Sequence, residues 1–223
     1  MTSENTDLKE KLRQIPSLKA PLPDMKLEIF PDTPHQAFSL WLDEALKAGI
    51  REPHAMTLST TDENGWPDAR ILILKNVDAR GWHFAIKAES PKARQIAAKP
   101  NVALTFYWPV LGRQIRLRGL ATLLSAEECA ADYLERPQHS RVSALASRQS
   151  TQLSDTTELD RNLVKAEVFL AANPDYIARD WQVYAVAPTV VEFWQGASDR
   201  NHKRLCFTLS EDHSKWDRVR LWP

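Results

Sequence analysis

Four stretches of this sequence concentrate cations and polar side chains that could hold phosphate groups. They are RILILK (70–75), SPKARQI (90–96), RPQHS (136–140) with SRQS (147–150), and EFWQGASDRNHKRLCF (192–207). A guanidinium group binds a phosphate through parallel hydrogen bonds, and backbone N–H groups at a helix start also attract anions. Taken singly, the first two stretches are better explained by cations on a solvated surface, and the other two are compatible with a surface turn or with an anion site.

The fourth stretch also carries residues that could act on a substrate. Arg200, His202, Lys203 and Arg204 fall within five positions after the break at Gly196. Arginine stays protonated at pH values below about 12, so Arg200 is suited to orienting a substrate and stabilising developing charge. A histidine can move a proton near neutral pH, so His202 is a candidate for proton transfer or for positioning.

Composition excludes several function classes. The chain has 223 residues, 29 Lys+Arg and 29 Asp+Glu, so it lacks the basic excess of a general nucleic-acid-binding surface. It shows no apolar run of about 20 residues that would span a membrane, and its polar N-terminus predicts no secretory signal and a cytoplasmic location. Cys129 and Cys206 are expected to be reduced thiols.

Common catalytic and nucleotide-binding motifs are absent from the sequence. The six glycines form neither GxGxxG nor a Walker A loop, which argues against Rossmann and P-loop nucleotide sites. Since CxxC, HExxH and GxSxG are also absent, we expect no metal site and no α/β-hydrolase.

Hydrophobic periodicity predicts short strands paired as hairpins, with helices inserted between them. Strands are predicted at 54–61, 67–75, 82–87, 102–109, 113–124, 181–196, 204–210 and 216–223. Helices are predicted at 35–49, 91–99, 126–136, 141–150 and 156–173, with caps at Ser90 and Ser125. Short hairpin links favour antiparallel pairing, so the predicted fold is mainly β with α (α+β), a closed or nearly closed small barrel.

Residues 1–34 contain five prolines and no sustained periodicity. We interpret them as an extended N-terminal arm, mobile or wrapped on a partner, that precedes a single domain over 35–223.

In order and spacing, these pieces together resemble the pyridoxine/pyridoxamine 5′-phosphate oxidase family from about Arg51 to Pro223. The resemblance also covers REPHAM (51–56), RQIRLRG (113–119), the R-x-H-x-R of 200–204 and the terminal WDRVRLWP. It implies an antiparallel split β-barrel with peripheral helices, a homodimer, and FMN bound at the dimer interface. It also implies oxidation of pyridoxine or pyridoxamine phosphate at C4′, with O2 reoxidising the flavin and releasing H2O2.

The resemblance further implies residue roles. The cofactor-binding residues would be Arg70, Ile71, Leu72, Ile73, Leu74, Lys75, Lys92, Gln114, Gln149, Ser150, Trp194 and Arg204. The substrate-binding residues would be Lys75, Arg136, Ser140, Arg200, Asn201 and His202, of which Arg200 and His202 would be catalytic.

The chain departs from the family pattern at several positions. Asn201 stands where the family usually has Leu, and Asp132 stands at the place of a phosphate-binding Tyr, with Tyr133 one position later. Near the flavin, the family's Tyr-Thr pair and Arg are replaced by Ala85, Ile86 and Pro91. Two alternatives follow. One is a related FMN oxidase acting on another substrate, such as a phenazine-type intermediate, and the other is a non-catalytic binder of FMN or pyridoxal phosphate.

Overall fold

The computed structural model describes residues 3–223, with side chains from residue 8 onward. Its helices are α1 (Ser3–Gln14), α2 (Pro34–Lys47), α3 (Pro91–Ala98), α4 (Ala126–Glu135), α5 (Gln138–Ala146) and α6 (Thr156–Ala172). Its strands are β1 (Ala55–Thr61), β2 (Pro67–Asp78), β3 (Gly81–Lys87), β4 (Asn101–Trp108), β5 (Arg113–Leu123), β6 (Trp181–Gln195), β7 (Lys203–Leu209) and β8 (Trp216–Leu221). A 3-10 helix covers Leu27–Ile29.

The chain forms two compact units. The barrel unit contains His54–Leu104 and Arg118–Thr189, and the terminal unit contains the described residues up to Pro53, Thr105–Leu117 and Val190–Pro223. Strands β4, β5 and β6 each contribute one part to either unit. The single domain that the sequence predicts for 35–223 therefore extends over both units.

The barrel unit is a sheet that closes on itself. Its strand order is β3-β2-β1-β4-β5-β6, and β6 pairs again with β3, antiparallel, from Trp82 opposite Val186 to Lys87 opposite Trp181. Alternate residues of β1, such as Met56 and Leu58, are fully buried inside. The period-2 pattern thus produced the antiparallel barrel that the sequence predicted.

Two glycines allow the backbone of β6 to approach its neighbours closely. A Cβ atom on Gly81 would lie 1.8 Å from the carbonyl oxygen of Val186. On Gly119 it would lie 2.0 Å from the carbonyl oxygen of Ala187. No side chain fits at either position, because such a contact is far inside the van der Waals distance.

Helix starts follow local capping chemistry. The Ser90 hydroxyl accepts a hydrogen bond from the N–H of Ala93 at the start of α3. Ser125 and Glu128 form a reciprocal capping box at the start of α4. Both caps were predicted from the sequence, whereas α5 begins three residues before the predicted 141 and ends four before 150.

The terminal unit is built around an aromatic core. The Trp41 ring of α2 lies 5.2 Å from Phe193 of β6, and Phe30 lies 5.7 Å and 5.4 Å from these two rings, all edge to face. Phe207 of β7 packs on Phe193 at 5.7 Å. Edge-to-face contacts of this kind add to the burial of large rings and fix α2 on the β6-β7-β8 sheet.

The N-terminal residues differ from the extended arm that the sequence predicts. Residues Ser3–Gln14 form α1, whose Leu8 and Leu12 are more than half exposed. Met25 and Phe30 are buried, and Lys203 donates to the carbonyl oxygen of Met25 at 3.1 Å. The last part of the predicted arm, at Met25 and Phe30, therefore packs on its own terminal unit.

The described residues contain neither a membrane-spanning helix nor a metal-binding cluster. No helix among them is both long and apolar enough to cross a membrane. Across the same residues, no group of three or more His, Cys, Asp or Glu side chains is arranged to hold a metal ion.

Candidate functional site

The side chain of Arg70, on β2, belongs to a polar network of the barrel unit. Its Nη1 donates to the Thr60 hydroxyl at 2.7 Å, and its Nη2 donates to Oε1 of Gln95 at 3.4 Å. Asp68 forms an ion pair with the same guanidinium group. These contacts fix the plane of the guanidinium, and a fixed plane is what recognition of a phosphate by two hydrogen bonds requires.

Lys92 lies beside this network in the first turn of α3. It is only 6% exposed, and its Nζ donates to Oε1 of Gln149 at 3.2 Å. Burial and the nearby charge of Arg70 lower the pKa of Lys92, and Asp68 only partly offsets them. Two cations and a helix start thus lie near one another with one carboxylate, Asp68, which leaves a net positive charge for an anion.

Other predicted cofactor-binding residues lie on β2 and in the loop after α5. Ile71 is 64% exposed and Ile73 is 38% exposed, so the RILILK strand turns an apolar face outward in the barrel unit. Gln149 and Ser150 border a cavity of about 250 Å³. Ser150 has φ of 65°, in the left-handed region. Lys92 and Gln149 are neighbours in the structure, although they are distant in sequence.

Lys75 belongs to a second cluster of the barrel unit. It stands where the register between β2 and β3 shifts, and such an irregularity redirects a side chain. Its Nζ lies 3.2 Å from Oδ1 of Asp132. The other carboxylate oxygen of Asp132 accepts a hydrogen bond from the indole Nε1 of Trp181 at 2.8 Å. Asp132 is thus held between a cation and a donor.

Arg136 completes this second cluster. Its guanidinium group lies 3.8 Å from the centre of the Trp181 ring, and its Nη2 donates to the backbone oxygen of Ser140 at 3.0 Å. Burial lowers the pKa of Arg136, against the opposing charge of Asp132. Its Nη1 is buried and makes no hydrogen bond within the described chain. A buried donor without a partner suits an anionic ligand.

Tyr133 meets this cluster at the ring of Trp181. It is fully buried, and its ring packs edge to face on Trp181 at 6.0 Å. One residue along a helix turns the side chain by about 100°, which points Tyr133 inward and leaves Asp132 beside Lys75. Nothing in the sequence marked Trp181 as a site residue, because it stands there only as the first residue of a predicted strand.

The terminal unit holds the residues of the 192–207 stretch. Trp194 pairs with Arg204 across β6 and β7, and the ring of His202 lies 4.8 Å from that of Trp194. The backbone N–H of Ala197 donates to Nδ1 of His202 at 3.0 Å. Nδ1 is therefore unprotonated, and in the neutral ring the proton is on Nε2.

Arg200 and Asn201 form the tip of the same turn. Arg200 has φ of 70°, and both residues are exposed. The backbone N–H and the side-chain amide of Asn201 donate to the two carboxylate oxygens of Asp199, at 2.9 Å and 3.0 Å. These bonds lower the pKa of Asp199 and keep it ionised.

Arg204 is held by Glu192, which sequence reasoning did not single out. Its Nε donates to Oε1 of Glu192 at 2.8 Å, and Arg116 forms an ion pair with the other carboxylate oxygen. Burial by itself would raise the pKa of Glu192, but the hydrogen bonds from the two arginines outweigh it and lower the pKa. The spacing of Glu192 and Trp194 on β6 offered a weak signal, since alternate residues share a strand face.

Gln195 ties the end of β6 to the turn before β5. Its Nε2 donates to the carbonyl oxygen of Leu111 at 3.0 Å, and its Oε1 accepts from Nε of Arg113 at 2.9 Å. The adjacent Gly196 N–H donates to the carbonyl oxygen of Gly112 at 2.7 Å. This network holds the start of β5, where Gln114 is half-buried.

Eleven of the predicted residues fall into three assemblies: Arg70, Lys92 and Gln149; Lys75, Arg136 and Ser140; and Trp194, Arg200, Asn201, His202 and Arg204. The first two belong to the barrel unit, and the third belongs to the terminal unit. The first assembly places Lys92 at the start of α3, the second places Arg136 on the ring of Trp181, and the third places His202 on the ring of Trp194. The other predicted residues, Ile71, Leu72, Ile73, Leu74, Gln114 and Ser150, lie on β2, on β5 and in the loop after α5.

Comparison with protein families gave two matches along the chain. The family described as pyridoxamine 5′-phosphate oxidase matches residues 42–169. The C-terminal dimerisation region of pyridoxine 5′-phosphate oxidase matches residues 181–223.

Curated relatives cover most of the chain. The pyridoxine/pyridoxamine 5′-phosphate oxidase of Thermosynechococcus vestitus is 43% identical over 195 residues, which are 86% of this chain and 90% of that protein. The protein of the same name from Pseudomonas syringae pv. tomato is 42% identical over the same shares. That of Rubrobacter xylanophilus is 42% identical over 190 residues, 85% of this chain and 87% of that protein.

Solved structures share the fold. PhzG from Burkholderia lata 383, solved in complex with tetrahydrophenazine-1-carboxylic acid, has a TM-score of 0.83 and 26% identity, covering 92% of this chain and 99% of that one. A pyridoxamine 5′-phosphate oxidase-related, FMN binding protein from Nostoc punctiforme has a TM-score of 0.70 and 16% identity, covering 86% and 98%. These likenesses confirm the predicted split β-barrel with peripheral helices.

Proposed function

The chain belongs to the pyridoxamine 5′-phosphate oxidase family, and from this premise we propose that it is an FMN-dependent oxidase. It converts pyridoxine 5′-phosphate or pyridoxamine 5′-phosphate to pyridoxal 5′-phosphate, with O2 as acceptor and release of H2O2; with pyridoxamine 5′-phosphate, water supplies the aldehyde oxygen and the amine leaves as ammonia. The curated relatives, at 39% to 43% identity, favour this vitamer substrate over the phenazine-type alternative. Retention of both Arg200 and His202 argues against a non-catalytic binder, which would not need that pair.

The observation that carries the proposal is the presence of two separate clusters of cations in the barrel unit, in which Lys92 is buried and Arg70 and Arg136 are partly buried. Arg70 and Lys92 form one, while Lys75 and Arg136 form the other. An FMN enzyme with a phosphorylated substrate must hold two phosphates. Each cluster holds two cations and one carboxylate, which leaves a net positive charge that fits one phosphate.

The residues of the first cluster fit the phosphate end of FMN. Lys92 is buried beside Arg70, and its lowered pKa marks an ammonium group whose charge is incompletely balanced. A bound phosphate would balance it and accept hydrogen bonds from the start of α3. The chemistry that FMN would supply when bound is the acceptance of a hydride from the substrate, whereas the protein orients the reactants and sets the charge around them. The proposed FMN-binding residues are Arg70, Ile71, Leu72, Ile73, Leu74, Lys75, Lys92, Gln114, Gln149, Ser150, Trp194 and Arg204.

The second cluster is proposed to bind the phosphate of the substrate. The Nη1 of Arg136 has no partner in the described chain and can donate to a phosphate, and Ser140 is held beside it by the hydrogen bond from Nη2 to its backbone oxygen. Lys75 must exchange part of its interaction with Asp132 for the phosphate. The stacking of Arg136 on Trp181 keeps the guanidinium in place while its remaining donors bind.

Arg200 and His202 are proposed to act on the reacting end of the substrate. His202 cannot take a proton at Nδ1 without losing the hydrogen bond from Ala197, so Nε2–H is its available group and acts as a donor. Arg200 orients the substrate and stabilises charge. Asn201 is proposed to lie against the substrate, although its amide nitrogen is engaged by Asp199.

We also propose a homodimer, supported by the match of 181–223 to a dimerisation region and by the outward apolar face of Ile71 and Ile73. Light scattering after size exclusion should give twice the chain mass of 25.4 kDa, and a monomer at micromolar concentration would oppose it. The cytoplasmic location and the boundary of the arm at residue 34 stay predictions. Cell fractionation and limited proteolysis test them.

An oxidase assay tests the proposed activity. The purified protein is expected to be yellow, and with pyridoxamine or pyridoxine phosphate and O2 it should form pyridoxal phosphate and peroxide in equal amounts. A protein that stays colourless after addition of FMN would refute every flavin role. FMN binding without turnover of either vitamer would instead point to a phenazine-type substrate.

A further inference from the structure

The turn of residues 197–202 is locked by a carboxylate–amide clip, which consists of the Asp199 carboxylate and the Asn201 backbone and side-chain N–H groups. We propose that Asp199 and Asn201 are positioning residues that hold Arg200 in its left-handed conformation and orient the ring of His202. This inference rests on the proposed oxidase function for its kinetic consequences, whereas its structural consequence is independent of activity.

The clip uses both oxygens of one carboxylate. Oδ1 of Asp199 accepts from the backbone N–H of Asn201 at 2.9 Å, and Oδ2 accepts from its Nδ2 at 3.0 Å. Hydrogen bonds to an ionised acceptor are stronger than neutral ones. The two bonds span Arg200, the residue between them, and thereby restrict its backbone dihedrals.

Arg200 needs this support because its φ is 70°. Residues with a Cβ atom disfavour the left-handed region, which Gly and, less often, Asn or Asp adopt. The long cationic side chain of arginine does not by itself favour the left-handed conformation. The conformation is therefore imposed by its surroundings, and backbone outliers of this kind cluster at functional sites.

The same turn also determines how His202 is presented. The N–H of Arg200 donates to the carbonyl oxygen of Ala197 at 3.1 Å, while the N–H of Ala197 donates to Nδ1 of His202 at 3.0 Å. The N–H of His202 in turn donates to the carbonyl oxygen of Arg200 at 2.9 Å. The backbone of Arg200 and the tautomer of His202 are consequently coupled, so loss of the clip should disturb both.

The chain contains a matched control for this arrangement. Asp212 caps another exposed turn of the terminal unit, accepting from the Ser214 N–H at 3.1 Å and from the hydroxyl of Ser210 at 2.7 Å. His213 in that turn has φ of 59°. The turn at Asp212 thus shares the chemistry and the backbone conformation but contains no proposed site residue.

The experiment compares Asp199→Ala, Asn201→Ala, the double variant, Asp199→Asn and Asp212→Ala in the full chain. Asp199→Ala and Asn201→Ala are expected to lower kcat/KM for pyridoxamine phosphate about tenfold, equivalent to about 1.4 kcal/mol. The dissociation constant of FMN should stay within about twofold, because neither residue belongs to the proposed FMN site. The double variant should be no worse than either single one, and Asp199→Asn should lose less activity than Asp199→Ala, since its amide oxygen keeps one of the two acceptors.

Asp212→Ala should lower the melting temperature as much as Asp199→Ala but leave kcat/KM unchanged. Equal kinetic losses in these two variants, wild-type kcat/KM in Asp199→Ala, or additive losses in the double variant would overturn the proposal. A second measurement needs no activity. Nitrogen NMR of the wild-type imidazoles should show an unprotonated Nδ1 for His202, and Asp199→Ala should mix the tautomers. Unchanged His202 signals would overturn the proposal, whereas an inactive wild type would refute only the proposed reaction.

Discussion

Replacing Asp132 by asparagine should strengthen binding of a phosphorylated substrate, because the Asp132 carboxylate competes with that phosphate for Lys75. Its Oδ1 lies 3.2 Å from Nζ of Lys75, and its Oδ2 accepts from Trp181 at 2.8 Å. Asparagine has the same shape, and its amide oxygen can still accept from the indole. The substitution therefore removes one charge and leaves the packing of α4 in place.

The magnitude follows from the distance and the exposure of the pair. Two unit charges 3.2 Å apart attract each other by about 1.3 kcal/mol at a dielectric constant of about 80, and by about 5 kcal/mol at about 20. The side chains of Lys75 and Asp132 are 34% and 15% exposed, so solvent screens the pair and the lower figure applies. Release of Lys75 should thus lower KM for pyridoxamine phosphate about tenfold.

The assay is steady-state peroxide formation, with calorimetric binding of pyridoxal phosphate as an independent readout. The value of kcat should stay within about twofold, because the phosphate is bound equally in the ground state and the transition state. The matched control is Glu128→Gln, which removes one charge from the same helix, where Glu128 pairs with Arg80 at 2.6 Å. Glutamine also preserves the capping box.

An unchanged or higher KM in Asp132→Asn would refute the competition between carboxylate and phosphate. An equal fall of KM in Glu128→Gln would show that net charge, and not the contact with Lys75, is responsible.

Three further predictions concern the cofactor and the fold. FMN should bind about tenfold more weakly at pH 10 than at pH 7, because Lys92 loses its proton below the ordinary lysine pKa. In Lys92→Arg the affinity for FMN should depend less on pH. Fluorescence titration measures the affinity of both proteins, and the same pH dependence in both would contradict the prediction. Glu192→Gln should lower the free energy of unfolding by about 1–3 kcal/mol at pH 7 and by less at pH 3.5. Because the pKa of Glu192 is lowered on folding, its contribution to stability is present above its ordinary pKa of 4.5 and is lost as the pH falls through the lowered pKa of the folded protein. Urea unfolding that shows the same loss of free energy in Glu192→Gln at pH 7 and at pH 3.5 would oppose this. Gly119→Ala should cost at least about 3 kcal/mol in urea unfolding, since its Cβ would meet the Ala187 oxygen at 2.0 Å, whereas Gly65→Asn, at a turn with no atom within 4 Å, should cost far less.

Much of the fold could be predicted because its signals are local. The alternation in β1 and the caps at Ser90 and Ser125 involve neighbours within a few residues, and short hairpin links leave antiparallel pairing as the simplest solution. The start of α5 at Gln138 was missed because Pro137 gives no side-chain cap to mark it. Helix α1 was missed for a related reason, since its apolar residues stay exposed and few of them mark a face.

The types of the site residues could likewise be predicted, but their partners could not. The sequence by itself determined that Arg70 is a cation on a strand and that Lys92 and Arg136 are cations at helix ends, and motif order assigned them to a family. That Lys92 meets Gln149, that Asp132 faces Lys75 while Tyr133 is buried, and that Glu192 clamps Arg204 depends on register and helix rotation. The charge state and donor geometry of a side chain are set by whatever folding places within about 4 Å of it, and only the tertiary structure decides which groups those are.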